Sequence, residues 1–252
     1  MNPLLYRVQV LDRTCDILEC LANNGPELGV SEITSDLGLS KTTVHRLLSA
    51  LTQREFVQRV PASGKYRLGM KLFELGQKAG NADGLVASAG SYLTRLVSET
   101  GETAHLGVLR EGQVVCLCAV ESPKTSRSPA AIGERTPAHA SSLGKCMLAG
   151  LSSGELTVAL AQLSWERFTP RTMVSEEVLI KELQKVRQQG FAVDDEEFEQ
   201  GIKCVAAPVR DRSGRVRAAL GIAGPRSRLG PQVMQHHAAT VVGLSTQSRK
   251  IP

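Results

Sequence analysis

The sequence predicts an α+β protein of two domains, and three observations support this prediction. Its 252 residues are enough for one large or two small domains, each with a core of its own. The first 71 residues show three helical segments followed by a β-hairpin, which is the layout of a winged helix-turn-helix. A composition break at 80–84 (Gly-Asn-Ala-Asp-Gly) then precedes alternating helix-like and strand-like segments. We expect a winged helix-turn-helix domain over 1–76, a linker over 77–85 and an α/β domain over 86–252.

The first two predicted helices carry apolar residues at helical spacing. Apolar residues recur at helical spacing at Leu11, Cys15, Leu18 and Leu21 or Ala22, and the helix ends at the turn signal 23–26 (Asn-Asn-Gly-Pro). A short second helix fits Ser31 to Leu37, and Gly38 favours a left-handed stop.

The third predicted helix begins after Ser40, a natural N-cap, and runs from Lys41 to about Arg54. One face is apolar and is expected to be buried, with Val44, Leu47, Leu48 and Leu51. The opposite face carries hydrogen-bonding or cationic residues only: Lys41, Thr42, Thr43, His45, Arg46, Ser49 and Gln53. The helix is therefore amphipathic, with a polar, basic outer face.

A β-hairpin follows, with strands near 56–60 and 65–68 and a turn at 61–64 (Pro-Ala-Ser-Gly).

Acidic and basic residues lie in different parts of this domain. Residues 1–39 hold two cationic and six acidic side chains, whereas residues 40–71 hold seven cationic and one acidic. A basic block is either a solvated face or a polyanion footprint. Its coincidence with the capped helix and the basic hairpin favours duplex DNA, with the third helix in a major groove.

The predicted DNA contacts lie at the start of the third helix and in the hairpin. Arg and His side chains can read guanine edges, and Ser and Thr hydroxyls can contact phosphates or bases. For the helix we expect contacts from Ser40, Thr42, Thr43, His45 and Arg46, with Lys41 on phosphate. For the hairpin we expect Lys65 and Arg67 on the backbone or minor groove, with Arg59 as a candidate third contact.

The remaining chain alternates helices and strands. We expect helices near 72–79, 86–100, 141–151 and 175–190 and from about Pro231. We expect strands near 103–110, 113–120, 191–194, 204–210 and 216–222.

The sequence resembles the IclR-type bacterial transcription regulators over nearly its whole length. The resemblance rests on long strings in the family's order and spacing: LDRTCDILECLA, VSEITSDLGLSKTTVHRLLSALTQREFVQR, GKYRLGMKLFELG, TGETAHLGVLREGQVVCL, GERTPAHASSLGKCMLA, ERFTPRTMVSEEVL and QGFAVDDEEFEQGIKCVAAPVRDRSGRV. It implies a linker helix that joins the winged helix to a GAF-like α/β effector-binding domain. It also implies a homodimer or homotetramer that binds a partly palindromic double-stranded operator. Repression and activation both stay open.

The resemblance further implies a small organic acid as the effector and gives positions for its cavity. Carried over position by position, these are Ser128, Ser142, Leu143, Asp194, Cys204, Gly221 and Ala223. Independently, Ser141 and Ser142 stand where a helix should begin, so they fit either an anion site or simple capping.

The last strand departs from the family's usual SxSG, because it reads Gly221-Ile222-Ala223-Gly224. Two hydroxyls are missing, and each lost hydrogen bond to a buried ligand group costs about 1–3 kcal/mol. We therefore expect a bulkier or less polar effector than a small hydroxy- or keto-acid, such as an aromatic or other catabolic acid.

An enzyme would need a nucleophile and a base, for which Cys204 with His139 near the carboxylates of 194–197 is the available pair. The sequence has no GxSxG, HExxH, P-loop or GxGxxG motif. We expect no enzymatic activity and no cofactor.

A metal site is also not expected. His236 and His237 are adjacent and point about 100° apart on a helix, and Cys116 with Cys118 would supply two ligands from one strand face. Core thiols and surface histidines are the simpler interpretation. A redox- or metal-responsive regulator on the same scaffold stays as the alternative function.

Six scattered cysteines without a CxxC motif favour reduced thiols. The sequence has no run of about 18 apolar residues, and its first residues lack a signal-peptide core. We expect a cytoplasmic protein with no membrane partner.

Overall fold

The computed structural model describes residues 8–80, 85–124 and 132–247. These residues form two compact units, which divide between Ala79 and Gly80. The helices are α1 (Gln9–Asn23), α2 (Val30–Leu37), α3 (Lys41–Gln53), α4 (Met70–Gly80), α5 (Leu85–Thr100), α6 (Ser142–Ala149), α7 (Ser153–Leu160), α8 (Glu176–Gln189) and α9 (Pro231–Gln247). The strands are β1 (Val57–Arg59), β2 (Tyr66–Leu68), β3 (Thr103–Arg110), β4 (Gln113–Val120), β5 (Arg135–Pro137), β6 (Ala192–Asp195), β7 (Ile202–Arg210) and β8 (Val216–Pro225).

The first unit packs α1, α2 and α3 around one apolar core and adds the β1–β2 hairpin. Ile17, Ile33 and Leu48, one from each helix, are fully buried in that core. The hairpin is tied to the helices because Leu28 and Tyr66 exchange backbone hydrogen bonds of 2.9 and 2.8 Å. The predicted winged helix-turn-helix layout is confirmed.

The turn between α2 and α3 follows from two local signals. Gly38 ends α2 in the left-handed conformation, at φ 63°, which glycine adopts without strain. Ser40 then caps α3, because its side chain accepts a hydrogen bond of 3.2 Å from the Thr43 N–H. Both signals were predicted from the sequence, and together they set the start of α3.

The second unit is built on a six-stranded antiparallel sheet in the order β5-β4-β3-β8-β7-β6. One face packs against α5 and α9, in a core that includes Leu93, Leu106, Leu220 and Val241. The other face packs against α6, α7 and α8. The predicted α/β domain is confirmed, with its sheet between two layers of helices.

One strand and one α-helix of this unit, β5 and α7, are not predicted from the sequence. β5 has three residues, too few to show a periodicity, and it ends at Pro137. α7 follows a capping box in which Ser152 and Glu155 hydrogen-bond each other's backbone N–H groups. That S-x-x-E signal for the start of a helix is visible in the sequence.

The expectation that Cys116 and Cys118 share one face of a strand is wrong. The pairing of β3 with β4 shifts between Leu106 and Gly107, so Leu117 is an extra residue opposite them. Cys118 therefore faces the α5 and α9 side with Leu106, whereas Cys116 faces the α6 side with Gly107.

None of the helices in the described ranges combines the length and apolar character needed to cross a membrane.

Candidate DNA-binding and small-molecule sites

The predicted DNA-contacting residues of α3 lie on its outer face. Val44 and Leu48 are fully buried, so the opposite side of the helix is turned outward. The side chains of Ser40, Lys41, Thr42, His45 and Arg46 are exposed. Thr43 differs, because it is half-buried and its hydroxyl lies 2.9 Å from that of Ser40. Thr43 thus serves the helix cap and is less available to an external partner.

The hairpin residues are held by local contacts. Arg67 donates to Gln58 Oε1 from Nε and Nη2, at 3.3 and 3.2 Å. Arg59 Nε donates to the Gly64 carbonyl at 3.4 Å. Lys65 Nζ forms an ion pair with Glu32 at 3.0 Å, an α2 contact that was not predicted from the sequence. The hairpin thus presents cations, one of which is partly neutralised.

A cavity of about 160 Å³ lies in the second unit, on the α6 side of the sheet. Six of the seven predicted effector positions line it: Ser142, Leu143, Asp194, Cys204, Gly221 and Ala223. The seventh, Ser128, lies outside the described residues. The cavity also contacts residues that were not predicted, among them His105, Cys116, Thr136 and Phe198.

The sheet register brings the predicted residues together. Ala223 on β8 pairs with Cys204 on β7, which pairs with Asp194 on β6. On the next strand, His105 of β3 pairs with Gly221 of β8. Because directly opposite residues face the same side of the sheet, these five residues share one wall of the cavity.

The start of α6 forms the opposite wall. Ser141 caps the helix by accepting a hydrogen bond of 3.1 Å from the Gly144 N–H. The N–H groups of Ser142 and Leu143 have no acceptor within the helix because they occupy its first two positions. A helix N-terminus of this kind attracts anions through its N–H groups and its dipole.

A buried charge network lies behind this wall. Lys145, on α6, is fully buried, and its Nζ lies 2.6 and 2.8 Å from the carboxylate oxygens of Glu197. The Glu197 N–H donates to Asp194 Oδ1 at 2.7 Å. Burial, aided by the negative charge of Glu197, raises the pKa of Asp194 to about 7. Asp194, one of the acids that line the cavity, therefore changes its charge near neutral pH.

The pair formed by Lys145 and Glu197 was not predicted. Its one sequence signal is a lysine among the apolar and small residues of α6. The pairing joins residues 52 positions apart, so their contact depends on the tertiary fold.

The structure does not bring together the candidate nucleophile and base. Cys204 lies beside Asp194, whereas His139 contacts Trp165 and Phe168 and its Nε2 lies 3.0 Å from the Glu166 carbonyl. Burial raises the pKa of Cys204 well above its ordinary value, which disfavours the reactive thiolate.

The metal and redox alternatives gain no support. Within the described ranges no cluster of three or more His, Cys, Asp or Glu side chains could hold a metal ion. Burial raises the pKa of Cys116 to about 11 and that of Cys146 to about 12, as expected for inert core thiols. The interpretation of both adjacent histidines as surface residues is half wrong: His236 is exposed, but His237 is buried.

Comparison with known proteins gives matches in both units. The family described as IclR helix-turn-helix domain matches residues 10–61, and the family described as bacterial transcriptional regulator IclR C-terminal matches residues 77–248.

Relatives match along most of the chain. The transcriptional regulator XynR of Escherichia coli is 38% identical, over 88% of this chain and 88% of its own. The transcriptional repressor AllR of Escherichia coli is 34% identical, over 88% of this chain and 82% of its own. An IclR homologue from Microbacterium hydrocarbonoxydans, solved in complex with 4-hydroxybenzoate, superimposes with a TM-score of 0.82 at 26% identity. That alignment covers 96% of this chain and 99% of the homologue.

Proposed function

Because this chain belongs to the IclR family of bacterial transcriptional regulators, we propose that it represses transcription by binding a duplex operator under the control of a small organic acid. Membership of this family confirms two predictions: the chain is a transcriptional regulator, and it is not an enzyme. Repression is the proposed direction because the relative AllR is a repressor.

The proposed DNA contacts are those of α3 and the hairpin. The exposed residues at the start of α3 are Ser40, Lys41, Thr42, His45 and Arg46. Arg46 and His45 carry the donors best suited to base edges, and Lys65 and Arg67 carry charges suited to phosphates. We assign base reading to the first pair and backbone contacts to the second.

The observation that supports effector control is the convergence of six family positions on one cavity beneath the N-terminus of α6. In this proposal the effector carboxylate accepts hydrogen bonds from the N–H groups of Ser142 and Leu143 and from the Ser142 hydroxyl. Ser128 stays part of the proposal on the resemblance alone.

The size and polarity of the cavity support an aromatic acid with a single ring as the effector. A cavity near 150 Å³ is known to hold benzene, so about 160 Å³ accommodates a benzoate-sized molecule. Gly221 and Ala223 add no hydroxyl to the wall. The 4-hydroxybenzoate bound to the Microbacterium homologue has this size.

Calorimetric titration with a panel of acids tests the effector proposal. We expect benzoate-sized acids to bind with higher affinity than glyoxylate or pyruvate, because the two hydroxyls of the usual SxSG are missing. Tight binding of glyoxylate or pyruvate would contradict the effector class.

We expect affinity for a carboxylate effector to fall as the pH rises. Below pH 7 Asp194 is mostly neutral and can donate a hydrogen bond, whereas above it the ionised carboxylate repels the effector. If binding requires the neutral form, affinity falls about tenfold from pH 6 to pH 8. Calorimetry across this range measures the change.

An Asp194→Asn variant is the control. It leaves unchanged the groups that face this position, which are Glu197, Cys204 and Lys145. That variant is expected to lose the pH dependence, and retention of it would assign the titration to another group.

Self-association is the proposed basis for operator symmetry. Large apolar side chains of the first unit are exposed, including Leu11 at 61% on α1 and Met70 and Phe73 at 70% and 59% on α4. Large apolar side chains exposed in this way are candidates for burial in an interface. We propose that a second copy covers them, giving a homodimer or homotetramer on a partly palindromic operator in the cytoplasm. Sedimentation equilibrium of the whole chain distinguishes monomer, dimer and tetramer.

A further inference from the structure

We propose that His105 determines effector specificity by hydrogen-bonding a hydroxyl or carbonyl group on the effector, so that the effector is a carboxylic acid with a second, uncharged polar group. This inference rests on the proposed function and deepens it, because it assigns the chemistry of the cavity wall that faces α6.

The first observation is an unpaired buried nitrogen on a residue that lines the cavity. His105 lines the cavity, and its Nε2 atom is buried with no hydrogen-bond partner among the described residues. Buried polar groups nearly always have a partner, so an unpaired one on a cavity residue calls for a functional explanation. A polar group of the effector would provide that partner.

The second observation is the position of His105 in the sheet. It lies directly opposite Gly221, which is one of the two positions where the usual hydroxyls are missing. A Cβ on Gly221 would collide with the Val205 carbonyl and would lie 2.7 Å from Ala206 Cβ, so a side chain does not fit there. The imidazole on the neighbouring strand thus supplies a hydrogen-bonding group beside a position that has lost one.

The third observation is charge. Burial lowers the pKa of His105 to about 4, so the ring is neutral at pH 7 and offers one N–H donor and one nitrogen acceptor. Three acidic residues, Glu134, Asp194 and Glu199, also line the cavity. The neutral His105 imidazole can hydrogen-bond a hydroxyl or carbonyl group of the effector. The surrounding acidic residues would repel a second carboxylate on the effector. The preferred effector is therefore a monocarboxylic acid.

Matched pairs of acids test this assignment. We would titrate the whole protein and a His105→Leu variant with 4-hydroxybenzoate and benzoate, and with the smaller pair lactate and propionate. For a pair that binds, we expect His105→Leu to weaken the hydroxy acid by about tenfold or more and the plain acid by less than about twofold. His105→Gln, which keeps a hydrogen-bonding side chain, is expected to restore part of the difference.

His236→Leu is the matched control, because it removes an exposed histidine that does not line the cavity. It is expected to bind both acids as the unmodified protein does. Thermal unfolding and DNA affinity without acid establish that each variant is folded.

The outcomes separate the two proposals. If the unmodified protein binds none of the acids, the proposed small-acid control fails. If it binds both members of a pair equally, or if His105→Leu weakens both equally or neither, the role of His105 is overturned while small-acid control stands.

Discussion

Lys145→Met is expected to lower the free energy of unfolding of the second unit by about 3–5 kcal/mol. Lys145 is fully buried, and Glu197, its partner at 2.6 Å, is also buried. Removing the ammonium leaves a carboxylate without water or a counter-charge, which costs far more than an exposed ion pair contributes. Urea unfolding followed by circular dichroism measures the loss.

Lys185→Met is the matched control. Lys185 lies on α8 with its side chain 70% exposed and is paired with Glu182 at 3.4 Å, so we expect a change below about 1 kcal/mol. A double variant, Lys145→Met with Glu197→Leu, is expected to regain most of the stability because no buried charge is left unpaired. Equal small losses for Lys145→Met and Lys185→Met would show that leaving the Glu197 carboxylate unpaired carries no special cost.

Arg46→Ala is expected to lower the preference for the operator over a scrambled duplex by about tenfold to a hundredfold, because a bidentate base contact gives about 1–3 kcal/mol of discrimination. Arg46 is exposed on α3, so stability should not change. Fluorescence anisotropy with both duplexes measures the ratio.

Lys65→Ala provides the contrast. Lys65 is expected to contact phosphate, so its loss should weaken both duplexes alike and reduce the salt slope by at most about one. The ion pair of Lys65 with Glu32 is expected to make this change in salt slope smaller than one, because a partly neutralised cation releases less counterion when it binds phosphate. If Arg46→Ala also weakens both duplexes alike, the assignment of Arg46 to base reading is wrong.

The parts of the fold that were predicted from the sequence depend on local signals. The Ser40 cap, the Gly38 stop and the apolar stripe of α3 all lie within a few turns of chain, and they fixed the layout of the first unit. The hairpin β3–β4 was predicted to the residue because its strands flank the turn at Glu111 and Gly112. The Ser152 and Glu155 capping box that begins α7 is a local signal of the same kind.

The features that were not predicted from the sequence depend on tertiary contacts between segments that are distant in the chain. The shift at Leu117 arises from the pairing of β4 with β3, and alternation along β4 alone gives the wrong face for Cys118. The buried pair of Lys145 with Glu197 and the place of His105 beside Gly221 require the order of the strands. The six cavity positions were obtained only through the family resemblance, because nothing in their spacing indicates that they meet.

The most direct test of effector-controlled DNA binding is anisotropy with a duplex from the gene's own upstream region, at near-physiological salt, with and without benzoate-sized acids. We expect binding at least about a thousandfold tighter than to a scrambled duplex, and we expect one of the acids to change the affinity for the upstream duplex. Equal affinity for both duplexes, together with no sequence preference in a selection from random DNA, would contradict it.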